Sequence, residues 1–226
     1  MTDRQSVADE APLIDEPDAL AAREANNAVE QFDRVLDLID VHVRDGRPFR
    51  LRPSMILTLH GIAMAGVHRM AGTYRNTAVS IEGSEHMPPN HQQVSAFVED
   101  MCEWIETRWS TKSAVALCAY TMWRLNWIHP FSDGNGRTSR AVAYLVLCIR
   151  AGDRLPGRLT IPEQIAADKK PYYDALEQSD EAADAADPDL TVLEALLQSG
   201  LVQQLGSAFD AATATTADGI EQRKFT

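Results

Sequence analysis

The sequence predicts an all-α protein, a helical bundle that carries one small β-hairpin. Apolar residues recur at helical spacing through most of the chain, and proline or Asp-Gly pairs stand at the borders of these runs. The hairpin is predicted within residues 72–89, where Val79 and Ile81 alternate with other residues between turn-forming ones.

Length and charge limit the class of protein. A chain of 226 residues with 45% hydrophobic content buries one substantial core. The net charge of −12 argues against nucleic acid and anionic membranes as main partners, because both bind basic surfaces.

The cysteines and the first residues of the chain predict a cytoplasmic location. Cys102, Cys118 and Cys148 stand in apolar surroundings without a Cys-x-x-Cys spacing, which is typical of reduced core cysteines. Residues 1–17 lack the basic-then-apolar order of a secretory signal, and no run reaches the roughly eighteen apolar residues of a membrane helix. Export as an effector by another route stays open.

The pattern divides the chain into a flexible segment, a helix with a linker, a core domain, and a closing helix with a frayed tail. These regions are residues 1–16, 17–52, 53–180 and 181–226, in that order. The first helix is predicted from Pro17, which opens it, to about Val43, before the Asp-Gly pair that ends it. The closing helix is predicted at 190–209.

Helices are also predicted throughout the core domain. Their bounds are 54–71, 94–109, 114–128 and about 135–149, with two short helices after Pro162 and Lys170. The segment 114–128 is apolar nearly all round, and 141–149 contains no charge, which is typical of buried helices. His60 and His68 share one helix but stand about 12 Å apart along its axis, too far for one metal ion. We predict that they are core or surface histidines.

The loop between the two buried helices, residues 129–140, is rich in polar and charged groups. Such groups are costly inside a core unless they bond to each other or to a ligand. Gly134 and Gly136 let the backbone approach closely, and a helix that starts near Asn135 presents N–H groups to an anion. Arg137 and Arg140 add two guanidinium groups, so the sequence predicts a phosphate site.

Two further residues of this loop suit chemistry on a phosphate. Asp133 is a hard oxygen ligand that suits Mg²⁺ held jointly with phosphate oxygens. His129, at the end of the preceding helix, is the candidate general base. Taken singly, a histidine at a helix end is more often a cap and a Gly-Asn-Gly is more often a turn. Their order within twelve residues favours a functional site.

The loop sequence, His-Pro-Phe-Ser-Asp-Gly-Asn-Gly-Arg-Thr-Ser-Arg, resembles the signature of the Fic family. That signature is His-x-Phe-x-(Asp/Glu)-Gly-Asn-Gly-Arg-x-x-Arg, and every fixed position is met. Members of the family typically transfer AMP from ATP to a hydroxyl side chain of a target protein, on an all-helical core. The resemblance implies the following roles: His129 deprotonates the hydroxyl, Asp133 binds Mg²⁺, Gly134, Asn135 and Gly136 cradle the phosphates, Arg140 contacts the outer phosphates, and Phe131 anchors the loop inside the protein. In the transfer, Arg137 or Arg140 would hold the leaving pyrophosphate.

The same resemblance assigns roles outside the loop. Residues 72–89 resemble the family's flap, in which Val79, Ser80 and Ile81 would align an extended segment of the target by strand pairing. Tyr172 and Tyr173 resemble the segment that flanks the adenine, with Tyr173 as the candidate, although packing of their helix is the alternative.

Glu24 resembles the glutamate of an inhibitory helix, whose motif is (Ser/Thr)-x-x-x-Glu-(Gly/Asn). The sequence departs from this motif at Leu20 and Ala25. In that role Glu24 would pair with Arg140, the second arginine of the signature, and block the outer phosphate. The alternative is a solvated charge on the helix surface.

The sequence therefore predicts a protein adenylyltransferase that uses ATP and Mg²⁺ and modifies an unidentified target protein or itself. Within the fold, the alternatives are transfer of UMP, phosphate or phosphocholine, and removal of AMP with Glu24 positioning water. Two other classes stay open. One is a nucleotide-binding interaction module without turnover, and the other is a metal-dependent hydrolase, which lacks a second ligand cluster.

Overall fold

The computed structural model describes residues 6–7, 13–157, 159–180 and 187–222, and it confirms the all-α class. Within these residues the chain forms eight α-helices and a short 3₁₀ turn at His91–Gln93. The helices are α1 (Pro17–Val43), α2 (Pro53–Ala63), α3 (Val94–Arg108), α4 (Ala114–Ile128), α5 (Asn135–Ala151), α6 (Ile161–Ala167), α7 (Lys170–Asp180) and α8 (Thr191–Gln222).

Several predicted features fall partly outside the described residues. They are most of the flexible segment 1–16, the middle of the acidic stretch after α7, and the last four residues of the tail. Among the residues that are described, no helix is long and apolar enough to cross a membrane. All three cysteines are free and buried, as predicted.

Local signals explain where the helices begin. The Glu16 carboxylate accepts the backbone N–H groups of Asp18 and Ala19, and proline follows it in the first turn of α1. The Ser113 hydroxyl accepts the N–H of Ala116 at 3.0 Å and caps α4. Thr160 and Glu163 form a reciprocal capping box at the start of α6.

The helices α4 and α5 form the centre of the bundle. Both bury most of their residues, as the uncharged and all-round apolar sequence predicts, and they pack on each other more extensively than any other pair. The remaining helices surround them, with α1, α2 and α6 on α5, and α3, α7 and α8 on α4. The loop between α4 and α5 is therefore fixed at both ends by buried helices.

The helix α2 is shorter than predicted, because it ends at Ala63 and not near residue 71. Two α1 side chains take the carbonyl groups that a longer helix would use. Asn27 Nδ2 donates to Ala63 O at 3.1 Å and to Ala65 O at 2.9 Å, and Arg23 Nε also donates to Ala65 O. Gly66 then adopts a φ of 71°, which helps the chain to leave the helix.

The helix α8 is longer than predicted, since it continues past Phe209 to Gln222. The Ala-Thr stretch 211–216, predicted to be frayed, lies inside this helix. Alanine has the highest helix propensity, and no proline interrupts the segment.

The flap is not a hairpin within residues 72–89, and this part of the prediction was wrong. Its strand β2 (Ser80–Ile81) pairs with a second strand β1 (Ser6–Val7), antiparallel, with Ser6 opposite Ile81 and Val7 opposite Ser80. After β2 the chain turns at Gly83 and then reaches the Pro-Pro pair of the flap, which has no N–H groups to give to a returning strand. A strand of two residues carries no alternation, so β1 was not predicted.

Candidate active site

The loop between α4 and α5 opens into a pocket of about 650 Å³. Most of the predicted site residues line it: Glu24, Ile81, His129, Asp133, Gly134, Asn135, Gly136, Arg137, Arg140 and Tyr173. Two predicted flap residues lie outside the lining, since Val79 is half-buried and Ser80 is exposed. The structure thus brings residues from α1, the flap, the loop, α5 and α7 to one cavity.

The backbone of His129 makes the sharp turn that ends α4. His129 adopts φ 49° and ψ 60°, and it is the one non-glycine residue with positive φ among the described residues. Such a conformation is strained for a side chain of this size and is held by its surroundings. Here Arg75 Nε donates to the carbonyl of His129 at 2.8 Å.

The imidazole of His129 is oriented by the last turn of α4. Its Nδ1 lies 3.3 Å from the carbonyl oxygen of Asn126, and a carbonyl can only accept a hydrogen bond. Nδ1 therefore carries the proton in the neutral ring, and Nε2 carries the lone pair. This is the tautomer that a general base needs.

Arg75 joins the flap to the end of α4. Its side chain is buried, and besides His129 it donates to the carbonyls of Thr77 at 3.0 Å, Ile128 at 3.4 Å and Pro89. Burial lowers the pKa of Arg75 from its ordinary value. No pattern in the sequence around Arg75 predicts that its side chain reaches α4.

The side chain of Phe131 is wholly buried, which confirms that it anchors the loop. The side-chain amide of Asn135 holds the backbone of Phe131 on both sides. Oδ1 accepts the N–H of Phe131 at 2.9 Å, and Nδ2 donates to the carbonyl of Phe131 at 2.8 Å. The amide of Asn135 is thus used inside the loop, at the start of α5.

His60 supports the loop from α2 and is buried, so of the two predicted alternatives it is a core histidine. Its ring stacks on Phe131 with 3.6 Å between ring centroids. Gly72 donates its N–H to Nδ1 at 3.0 Å, so Nε2 carries the proton and donates to the carbonyl of Asp133 at 3.0 Å. Burial lowers the pKa of His60 to about 4, so the ring is neutral at neutral pH.

The two glycines of the loop are needed for different reasons. Gly134 has a φ of 74°, and a Cβ there would lie 2.6 Å from the buried Met64 Sδ. Gly136 is helical, but a Cβ would lie 3.2 Å from Nη1 of Arg140. The guanidinium of Arg140 therefore lies over the first turn of α5, in the space that Gly136 leaves.

The prediction that Glu24 pairs with Arg140 was wrong, because its partner is Arg137. Arg137 Nη1 lies 2.9 Å from Glu24 Oε1, and Nη2 lies 3.5 Å from Asp133 Oδ2. Arg137 stands in the first turn of α5, beside α1 and one turn from Asp133, whereas Arg140 lies over Gly136.

The far end of the pocket is formed by α4 and α7. Tyr172 is buried, and its hydroxyl and that of Ser139 both lie 2.8 Å from Nδ2 of Asn126. The neighbouring Tyr173 lines the pocket, as does Asp180, whose Oδ1 accepts the indole N–H of Trp123 at 2.9 Å.

Sequence reasoning missed Asn126 and Asp180 as pocket residues. A signal existed for Asp180, which follows Tyr173 by seven residues and so lies two helical turns further on the same face of α7. No pattern in the sequence predicted that Asn126 lines the pocket, since the apolar residues around it predict only a buried helix.

Residues 50–147, which contain this loop and the flap, match the Fic/DOC family model. This part of the chain is similar to Fic domains. Two curated relatives named Protein adenylyltransferase Fic support this. The protein of Nematostella vectensis is 30% identical over 128 residues, which are 55% of this chain and 27% of that protein. The protein of Drosophila erecta is 35% identical over 99 residues, 43% of this chain and 19% of that protein. The chain therefore spans less than a third of these relatives.

Solved structures share the fold. A Fic domain containing signaling protein from Bacteroides thetaiotaomicron superposes with a TM-score of 0.64 at 22% identity, over 83% of this chain and 72% of that one. Fic-1 from C. elegans gives a TM-score of 0.66 at 21% identity, over 85% of this chain and 53% of that one. The likeness therefore extends beyond the matched residues of the Fic domain.

The donor chemistry of the pocket fits a magnesium ion held together with phosphate. Mg²⁺ is usually bound by one or two carboxylates, water and substrate phosphates, and not by a cage of protein ligands. The Asp133 side chain is 45% exposed at the pocket and meets that need. The described residues contain no group of three or more His, Cys, Asp or Glu side chains that could hold a metal.

Replacement of His60 should change how stability depends on pH. The unfolded chain binds a proton on His60 below about pH 6.5, whereas the folded protein does so only near pH 4. Stability is therefore fully present above pH 6.5 and falls as the pH is lowered towards 4, by about 2 kcal/mol between pH 7 and pH 5.

Urea unfolding at these two pH values checks this prediction. His60→Gln should lose that share of the pH dependence, whereas His91→Gln, in the 3₁₀ turn away from the loop, should keep it. Equal pH dependence in wild type and His60→Gln would contradict the assignment of a neutral, buried His60.

Proposed function

We propose that the protein is a protein adenylyltransferase, which transfers AMP from ATP to a Ser, Thr or Tyr hydroxyl of a target protein. The observation that carries the proposal is the loop 129–140. There a histidine in the tautomer of a base stands next to a helix start with two arginines, inside one pocket. The names of the relatives support the same activity.

In the proposed reaction, Nε2 of His129 takes the proton of the target hydroxyl while its oxygen attacks the α-phosphorus of ATP. The bond from the α-phosphorus to the bridging oxygen breaks, and pyrophosphate leaves. The N–H groups in the first turn of α5 and the guanidinium of Arg140 stabilise the charge on the phosphates. Arg137 adds a second positive charge when it is released from Glu24.

Asp133 is the residue that would hold Mg²⁺, together with phosphate oxygens of ATP. When bound, the ion neutralises phosphate charge. Asp133 belongs to the loop that also carries His129, and its carbonyl is fixed by His60, so its position relative to the base is set by the fold.

The far end of the pocket supports adenine as the base. Tyr173 offers an aromatic ring, and Asp180 offers a carboxylate that can only accept hydrogen bonds. Adenine can donate to such a carboxylate through its amino group, and uracil can donate through its ring N3–H. The larger purine ring, which can stack on Tyr173 over more area, is what favours AMP over UMP as the transferred group.

Glu24 is proposed to restrain the enzyme by neutralising Arg137. The pair is half-buried at the pocket, with the side chains 26% and 38% exposed, and it takes one positive charge from the phosphate end. Because Glu24 lines the same pocket, removal of AMP by a water molecule held on Glu24 is the second candidate activity. The three free buried cysteines support a cytoplasmic location for the enzyme.

Loss of the base should abolish transfer but not ATP binding. In intact-mass spectrometry after incubation with ATP and Mg²⁺, we expect wild type or Glu24→Gly to gain one AMP, and His129→Ala to gain none. Calorimetry should give His129→Ala the ATP affinity of wild type. Full labelling of His129→Ala would contradict the proposed base, and a gain of phosphate in place of AMP would contradict adenylylation.

Release of Arg137 should speed self-modification. Glu24→Gly is expected to gain AMP faster than wild type, by about fivefold, because one ion pair of roughly 1 kcal/mol no longer competes with phosphate. The matched control is Glu30→Gly, an exposed position of the same helix, which reproduces the glycine without the contact. The restraint is disproved if both variants label at the wild-type rate.

Gly136→Ala should weaken ATP binding without destabilising the fold. The added methyl group lies 3.2 Å from Nη1 of Arg140 and displaces the guanidinium, while alanine favours the helix by about 1 kcal/mol. We expect a Kd for ATP that is about tenfold higher, with an unchanged or raised Tm. In an Arg140→Ala background, Gly136→Ala should not raise the Kd for ATP any further. If it raised the Kd there as much as in wild type, displacement of the Arg140 guanidinium could not be the cause.

A further inference from the structure

The flap strand β2 is occupied by a segment of its own chain. β1 pairs with β2, the flap strand that would align an extended segment of a target. An exposed strand edge accepts any extended segment that can align its N–H and C=O groups. Residues 6–7 therefore lie where a target segment would lie.

The register of this pairing places one residue of β1 opposite the residue of β2 that lines the pocket. Ile81 is 9% exposed and lines the pocket that contains His129, whereas its neighbour Ser80 is exposed. Residues directly opposite each other in an antiparallel pair share one face of the sheet. Ser6 is opposite Ile81, so its position in the register is on the pocket side.

The segment around Ser6 offers few hydroxyl groups that could accept AMP. Between residues 3 and 16, Ser6 is the one residue with a hydroxyl group. Beyond the segment, Leu13 donates its N–H to the carbonyl of Val67 at 3.0 Å, which attaches the chain to the loop after α2 before α1 begins. Ser6 itself is placed by the pairing of β1 with β2, and the start of α1 is attached separately through Leu13.

We propose that Ser6 is the residue on which the protein modifies itself, in an intramolecular reaction templated by β1 and β2. This inference rests on the proposed adenylyltransferase activity. The Ser6 oxygen bonds to the α-phosphorus of ATP, the bond to the bridging oxygen breaks and pyrophosphate leaves. The hydroxyl proton goes to Nε2 of His129. A target segment that pairs with β2 must first displace β1, so self-modification and target modification compete for one edge.

Peptide mapping by mass spectrometry tests this proposal with the full chain, in wild type and in the Glu24→Gly background, after incubation with ATP and Mg²⁺. We expect AMP on Ser6. Ser6→Ala should lower the rate of total labelling at least about tenfold, because an acceptor held beside the site reacts far faster than one that must diffuse to it. The matched control is Thr2→Ala, which removes a hydroxyl from the same part of the chain and should leave labelling unchanged.

Two further measurements separate the contribution of the β1–β2 pairing to the labelling rate from that of the Ser6 hydroxyl. Val7→Pro keeps Ser6 but disfavours strand pairing, and it should slow labelling of Ser6. The first-order rate should not depend on protein concentration. A Val7→Pro variant that labels Ser6 at the original rate, or a rate that rises with protein concentration, would overturn the intramolecular strand mechanism.

The failure of this inference can be told apart from failure of the proposed function. AMP on other residues, with Ser6→Ala labelled as fast as its parent, would overturn Ser6 as the site and leave adenylylation standing. No AMP on any residue of the Glu24→Gly protein, with ATP bound, would count against both.

Discussion

The left-handed turn at His129 is the constraint on which the rest of the site depends. The helices α4 and α5 are both buried, so the short loop between them has to reverse the chain within the core. His129 accomplishes this with a φ of 49°, a conformation that costs of order 1 kcal/mol or more for a non-glycine residue. Arg75 stabilises it through the His129 carbonyl and connects the same turn to the flap.

The other polar groups of the loop are satisfied by a small set of fixed partners. Asn135 bonds to the backbone of Phe131 on both sides, and a neutral His60 stacks on Phe131 and bonds to the carbonyl of Asp133. These contacts use the inward-facing groups and leave the Asp133 carboxylate and the arginines at the pocket. In a protein of net charge −12, an anion in this pocket would be attracted by local cations, and one of these, Arg137, is paired with Glu24.

The sequence predicted what local pattern and composition determine. The bounds of α4 and the start of α5 follow from their apolar runs and from the glycines between them, and the loop residues assigned from the signature meet in one pocket. Three features depend on contacts between distant segments and were not predictable. They are the early end of α2, which Arg23 and Asn27 impose, the pairing of β2 with β1, and the choice of Arg137 as the partner of Glu24. In each case the deciding neighbour is far away in the chain.

The central claim is that the fold presents His129 as a base, with the proton on Nδ1 and the lone pair on Nε2. The most direct measurement is the nitrogen NMR spectrum of the His129 imidazole, assigned by comparison with His129→Ala. The account predicts a protonated Nδ1 that donates to the carbonyl of Asn126, and a pyridine-like Nε2 at neutral pH. A protonated Nε2 in the neutral ring would contradict the account, because that ring could not take the proton of a hydroxyl on the pocket side.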